Sequence, residues 1–170
     1  MRGAAVMLTA LVGLPLPAQA LRVPPAYHQV ALEYAVPAQI LFAIALTESG
    51  RLSADGRTLP YPWAMNVDGQ AYYFDSRAEA DAGLDRFLAQ GRHPDVGLMQ
   101  VNWRYHRPKL GGVAQAFDPW LNLRAGATVL REAYQATDDW WSAVGRYHSA
   151  TPARAEAYRD RVRRWYARLK

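Results

Sequence analysis

The sequence predicts a mainly α-helical single domain with one inserted β-hairpin, on three observations. Apolar residues recur at helical spacing in successive segments between residues 25 and 169, most of them opened by a proline or a capping side chain. The stretch 61–75 alternates instead and turns at Asp68-Gly69. A chain of 170 residues that is 51% hydrophobic and 12% aromatic can bury one core and lacks the composition of a disordered segment.

The elements follow in order. Arg2 precedes an apolar run from Ala4 to Leu16 and the small-x-small pattern Ala18-Gln19-Ala20, so residues 1–20 read as a secretory signal peptide and 21–170 as the domain. The run is shorter than the roughly 20 apolar residues a membrane-spanning helix needs. Pro24-Pro25 leads into a short helix through Tyr27, Val30, Ala31 and Tyr34. Pro37, expected as a first helical residue, starts a second helix that ends at Gly50, expected as a left-handed stop. Trp63–Val67 and Gln70–Phe74 flank the Asp68-Gly69 pair that a two-residue type I′ turn prefers. That register puts Trp63, Met65, Tyr72 and Phe74 on one face, either to pack on the domain or to stack on sugar rings.

Ser76-Arg77-Ala78-Glu79 reads as a capping box for a helix with Ala80, Leu84, Phe87 and Leu88 inward, ending at Gly91. A polar loop leads to Asp95–Asn102. Asp118-Pro119 caps and opens a helix carrying Leu123, Ala127, Leu130 and Tyr134; Asp138 or Asp139 starts another through Trp141, Val144 and Tyr147. Thr151-Pro152 starts the last, with Tyr158, Val162, Trp165 and Leu169 toward the core.

The helix between Pro37 and Gly50 is the one around which the chain is organised. Ile40, Leu41, Phe42, Ile44 and Leu46 leave it no broad polar face, and Glu48 is its one charge. A carboxylate in the last turn faces the negative end of the helix dipole, and apolar surroundings solvate it poorly; both raise its pKa. A carboxyl that keeps its proton near neutrality suits general-acid catalysis at a glycosidic or acyl oxygen. The same residue also fits a plain helix end whose Glu reaches solvent past a glycine.

The chain contains no cysteine, which excludes disulfides, a cysteine-attached lipid, a Cys-ligated metal site and a thiol nucleophile. No cofactor or metal is called for. A net charge of +5 suits an anionic partner, which for an exported protein means cell-wall polymer or lipid headgroups before nucleic acid. Much of it is local: Arg154, Arg159, Arg161, Arg163, Arg164, Arg168 and Lys170 crowd the last helix, where a solvated cationic face accounts for them.

Three segments in this order, Glu48-Ser49-Gly50, Gly97-Leu98-Met99-Gln100-Val101-Asn102 and Gly145-Arg146-Tyr147-His148-Ser149, resemble the lysozyme-like soluble lytic transglycosylases, the SLT family. Asp118-Pro119-Trp120-Leu121-Asn122-Leu123-Arg124-Ala125-Gly126 looks like that family's D-P-x-x-N-x-x-x-G helix start, and the likeness runs from about Pro37 to Ser149. The form Asp95–Asn102 is similar to the small specialised members that accompany conjugation, pilus and secretion machines. The resemblance implies a lysozyme-like helical fold in a periplasmic, monomeric protein acting on peptidoglycan strands. The implied reaction cuts the β-1,4 bond between N-acetylmuramic acid and N-acetylglucosamine without water, leaving 1,6-anhydro ends, beside components of such a machine.

The same resemblance places the single catalytic acid on Glu48. Gly97 would let a sugar approach the backbone; Met99 and Gln100 match groove residues, one an adaptable apolar contact and one an amide for an acetamido group. Asn102 either caps the following turn or touches sugar. Tyr147 matches a tyrosine whose hydroxyl would bond Glu48 or the substrate acetamide. The third motif is usually Ala-Tyr-Asn, and here His148 stands in the place of the Asn, to donate a hydrogen bond, stay structural or titrate. The long segment between Glu48 and Gly97 is expected to elaborate one end of the groove. Two other readings stay open. A hydrolytic lysozyme needs a second carboxylate, for which Asp55, Asp68 and Asp95 are candidates, and a wall-binding assembly module would keep the groove without the chemistry.

Overall fold

The computed structural model describes residues 21–169; the segment read as a signal peptide lies outside them. Pro24 and Pro25 open α1 (Pro25–Tyr34), which buries Tyr27, Val30 and Ala31. Ala35 turns left-handed (φ 50°), and an extended Pro37 caps α2 (Ala38–Ser49), so Pro37 stands one residue before the helix. Gly50 is not the expected left-handed stop: at φ −56° and ψ 118° it begins β1 (Gly50–Leu52), paired antiparallel with β2 (Thr58–Pro60). Space is what requires glycine there, because a Cβ would stand 2.3 Å from the Leu46 carbonyl oxygen.

The hairpin consists of β3 (Ala64–Val67) and β4 (Gln70–Tyr73), with Val67 opposite Gln70 and Met65 opposite Tyr72. Asp68 (φ 50°) and Gly69 (φ 89°) both take the positive φ of a type I′ turn. The sheet is larger than this hairpin: β5 (Asp95–Val96) and β6 (Val101–Asn102) extend it to the order β4-β3-β5-β6. Two-residue strands carry no period, which is why the sequence assigns no element to Asp95–Asn102. The aromatic face is used for packing. Met65 is fully buried, Trp63 and Phe74 lie against the core, and Tyr72 meets Phe87 of α3 (Arg77–Ala89) at 5.2 Å between ring centroids.

Side-chain caps set the helices that follow. Ser76 accepts from the Glu79 N–H at the start of α3; Asn102 caps α4 (Trp103–Leu110), which leads to the single turn α5 (Val113–Ala116). Asp118 accepts from Trp120 and Leu121 at the start of α6 (Pro119–Thr137), and Asp139 from Ser142 in α7 (Trp140–His148). Pro152 opens α8 (Pro152–Tyr166), and Leu21 forms a parallel bridge with Leu169 near the end of the chain. α1, α6 and α8 surround α2, with β1 and β2 beside it. That enclosure explains its all-round apolar surface: every residue from Ile40 to Leu46 is buried, and each large one contributes about 1.5–3 kcal/mol. The architecture is the mainly helical one the periodicity predicts, and its best-buried helix carries Glu48.

Candidate active site

Ser49, the buried neighbour of Glu48, fixes the end of α2. Its hydroxyl donates to the Leu98 carbonyl oxygen at 2.7 Å and accepts from the Tyr61 N–H at 3.1 Å. The helix is thereby tied to the Gly97–Asn102 turn and to the chain leaving β2. Glu48 is left lining a groove of about 520 Å³. Asn66 and Gly69 of the hairpin and Asp95, Gln100, Val101 and Asn102 form one side of its lining; α4 supplies Tyr105 and His106, α6 Val129, α7 Tyr147 and His148, and α8 Arg161.

Tyr158 of α8 donates a hydrogen bond to Glu48 Oε1 at 2.6 Å. Burial nonetheless dominates, pushing the Glu48 pKa up to about 7; the Asp95 charge adds to the rise, while the Tyr158 hydrogen bond and Arg161 oppose it. Burial also raises Asp95, against a hydrogen bond from Asn102 Nδ2 at 2.7 Å. The phenols of Tyr147 and Tyr158 are held well above their ordinary range by burial and the nearby Glu48 charge, so both stay neutral donors. The Tyr158 ring stacks on His148 at 4.5 Å and carries the Arg161 guanidinium 5.3 Å from its centroid. Burial, then Arg161 and Arg154, lower His148 and keep it neutral at pH 7.

Of the residues singled out in the sequence, Glu48, Gln100, Asn102, Tyr147 and His148 line the groove, and Gly97 and Met99 do not. What approaches Gly97 is a side chain of α6 rather than open groove: a Cβ there would stand 2.2 Å from Asn122 Nδ2, on a backbone at φ 77°. Met99 is fully buried, and a Cβ on Gly126 would come within 2.6 Å of its Cγ. Asn122, also buried, accepts from the Met99 N–H at 2.9 Å and donates to the Val96 and Ala116 carbonyls, both at 3.0 Å. Asp118, Asn122 and Gly126 thus cap the helix, clamp the turn and make room for Met99. Gln100 spends its amide hydrogens on the Gly97 carbonyl at 2.7 Å and the Ala64 carbonyl at 3.1 Å, leaving its carbonyl oxygen for a ligand. Asn102 both caps α4 and holds Asp95. The Tyr147 hydroxyl donates to the Met99 carbonyl oxygen at 2.8 Å, not to Glu48; the tyrosine on Glu48 is Tyr158.

Sequence reasoning missed Tyr158, Tyr105, Arg161 and the particular place of Asp95. Tyr158 shares a stripe with Val162 and reads as core, which its ring is, being 1% exposed. Tyr105 is 72% exposed beside the groove, in a stretch between Asn102 and Asp118 to which the sequence assigns no element. Arg161 belongs to the cationic run taken as a solvated face. Of the three carboxylates considered beside Glu48, Asp95 lines the groove, whereas Asp55 pairs with Arg57 and Asp68 with Arg92 at the surface. Among the described residues no group of three or more acidic, histidine or cysteine side chains is placed to hold a metal ion.

Residues 69–165, more than half of the chain, match the family model of the transglycosylase SLT domain. The match begins after Glu48, whose place rests on the geometry above. The chain is 35% identical over 103 residues to the type IV secretion system protein virB1 of Brucella abortus biovar 1 (strain 9-941). The same figures hold for virB1 of Brucella melitensis biotype 1 and of Brucella suis biovar 1. The aligned region covers 59% of this chain and 39% of each relative, so the chain spans about two fifths of their length. No solved structure matches significantly. With the SLT model running from Gly69 through the Gly97–Asn102 turn, the Asn122 clamp and α7 to Trp165 in α8, the chain belongs to the transglycosylase SLT domain family.

Proposed function

We propose that the protein is an exported peptidoglycan lytic transglycosylase in which Glu48 is the single acid and base. The observation that carries this reading is the Glu48 carboxyl itself: it lines a groove, is held by Tyr158 and keeps its proton to about pH 7. Glu48 gives that proton to the oxygen between N-acetylmuramic acid and N-acetylglucosamine as the bond to the muramoyl anomeric carbon breaks. The substrate's own acetamido group supports the developing positive charge. The resulting carboxylate then takes the proton of the muramoyl 6-hydroxyl, whose oxygen closes the 1,6-anhydro ring, and no water is consumed. The Gln100 carbonyl oxygen and the Tyr105 ring contact the glycan on the way to the bond.

Residues 1–20 serve as the export signal, and residues 21–170 act as a monomeric periplasmic domain. The virB1 relatives are named as type IV secretion system proteins, and on that likeness this chain opens the wall locally for an envelope-spanning secretion machine. One observation favours a second reading: Asp95 lines the same groove as Glu48, and a second carboxylate there would direct a water in a hydrolase.

Incubation with purified peptidoglycan tests the reading. The native protein should release soluble muropeptides, and Glu48→Gln should release none while still binding the wall. Equal release by both would remove Glu48 from the chemistry; binding without release by either would make the protein a wall-binding module.

A further inference from the structure

We propose that Arg161 is the residue that holds a carboxylate of the peptidoglycan strand, on the α8 side of the groove. The inference rests on the glycan-cleaving reading above and adds what that reading leaves open, namely which charged group of the strand the groove holds and by which residue. Arg161 lies exposed along the groove, and among the described residues no carboxylate comes within ion-pair distance of it. The two carboxyl groups lining the groove have other partners: Glu48 takes the Tyr158 hydroxyl and Asp95 the Asn102 amide. The cationic Arg154 acts on the same His148, and the only groove carboxyl that feels Arg161, Glu48, keeps its proton to about pH 7, so this side of the groove is positive below that pH.

The substrate supplies the complement. A strand of alternating N-acetylglucosamine and N-acetylmuramic acid has a neutral sugar backbone, and its carboxylates hang from the muramic lactyl ether. When the stem peptide is absent the lactyl group is itself a carboxylate; when the stem is present the lactyl carbonyl is amidated and the charges belong to the peptide. A guanidinium presents a planar fork that matches a carboxylate. Here it rests on the Tyr158 ring, so part of its ordering has already occurred before substrate arrives. The same ring carries the hydroxyl that holds Glu48, which puts the carboxylate reader and the acid on one support.

The test uses Glu48→Gln, so that ligands survive, with and without Arg161→Gln or Arg161→Lys. Binding is measured by calorimetry to three probes: chitohexaose, glycan strands stripped of stems, and strands with intact stems. Arg161→Gln should weaken binding to carboxylate-bearing strands about fivefold, the scale of one exposed ion pair, and to chitohexaose less than twofold. Arg161→Lys should recover part of the loss, and added salt should narrow the gap. A deficit with stripped strands identifies the lactyl carboxylate as the group read; one confined to stem-bearing strands identifies the peptide. Equal weakening toward all three probes, or none toward any, would overturn the proposal. Failure of the unsubstituted Arg161 protein to bind any of the three would overturn the glycan reading along with it.

Discussion

Tyr158 and Glu48, 110 residues apart in sequence, meet with the phenol hydroxyl 2.6 Å from carboxyl Oε1. One comes from a helix buried on every side and the other from the last helix packed against it, so their distance reports whether α8 is docked on α2. The hydroxyl fixes the carboxyl's orientation and pulls its pKa down, while burial pulls more strongly upward.

Removing that hydroxyl therefore leaves burial less opposed. Tyr158→Phe should move the alkaline limb of the pH–rate profile to higher pH, because Glu48 then holds its proton longer. It should also lower kcat about tenfold by freeing the carboxyl to misorient. Rates of muropeptide release across the pH range check both, and a limb that stays put would show that Tyr158 acts only in packing.

Glu48 also makes stability depend on pH. Its folded-state pKa of about 7 lies above the ordinary 4.5, so between these values the folded protein holds a proton that the unfolded chain has released. Stability falls as pH rises through that window, by up to about 3 kcal/mol, and the loss is complete above it. Glu48→Gln has no such proton to lose. Its urea midpoint should exceed that of the native protein at pH 8, with the difference shrinking toward pH 4.5; a constant difference would contradict the assignment.

Asn122 is predicted to matter more for the fold than any residue lining the groove. Asn122→Ala strands the Met99 N–H and the Val96 and Ala116 carbonyls in the interior, at a cost of about 2–4 kcal/mol. Gly97→Ala reaches the same clamp from the other side, through steric overlap with the Asn122 amide. Urea denaturation measures both, and a loss under about 1 kcal/mol for either would show that the turn relaxes around the change.

Tyr105 gives the opposite pattern, since it is 72% exposed and beside the groove. Tyr105→Ala should leave the urea midpoint within about 0.5 kcal/mol of native yet weaken glycan binding about fivefold, and Tyr105→Phe should retain most of the affinity. Loss in both variants would assign the effect to the hydroxyl instead of the ring.

The legible parts of the fold were those with a period or a cap. The helix that Pro37 introduces, the hairpin turn at Asp68-Gly69, the Ser76 cap and the Asp118-Pro119 start each depend on residues within a few positions of one another. Glu48 was legible for the same reason, as the one charge on an apolar helix. The remaining site contacts are long-range. Gly97 looks like a place where a sugar can approach the backbone until Asn122 of α6 is seen against it, and Met99 looks like a groove residue until its pocket at Gly126 is found. The Tyr158 stripe gives a correct core assignment and hides the hydroxyl, because periodicity records which face a ring is on and not what its far atom touches. Two-residue strands such as β5 and β6 leave no mark in a sequence at all.

The most direct test is mass spectrometry of the soluble products that the native protein releases from purified peptidoglycan. If Glu48 acts alone as acid and base, the new muramic ends are anhydro forms, lighter by one water than hydrolytic ends, and Asp95→Asn still produces them. Hydrated, reducing ends that vanish with Asp95→Asn would contradict the account and make the groove that of a lysozyme with two working carboxylates.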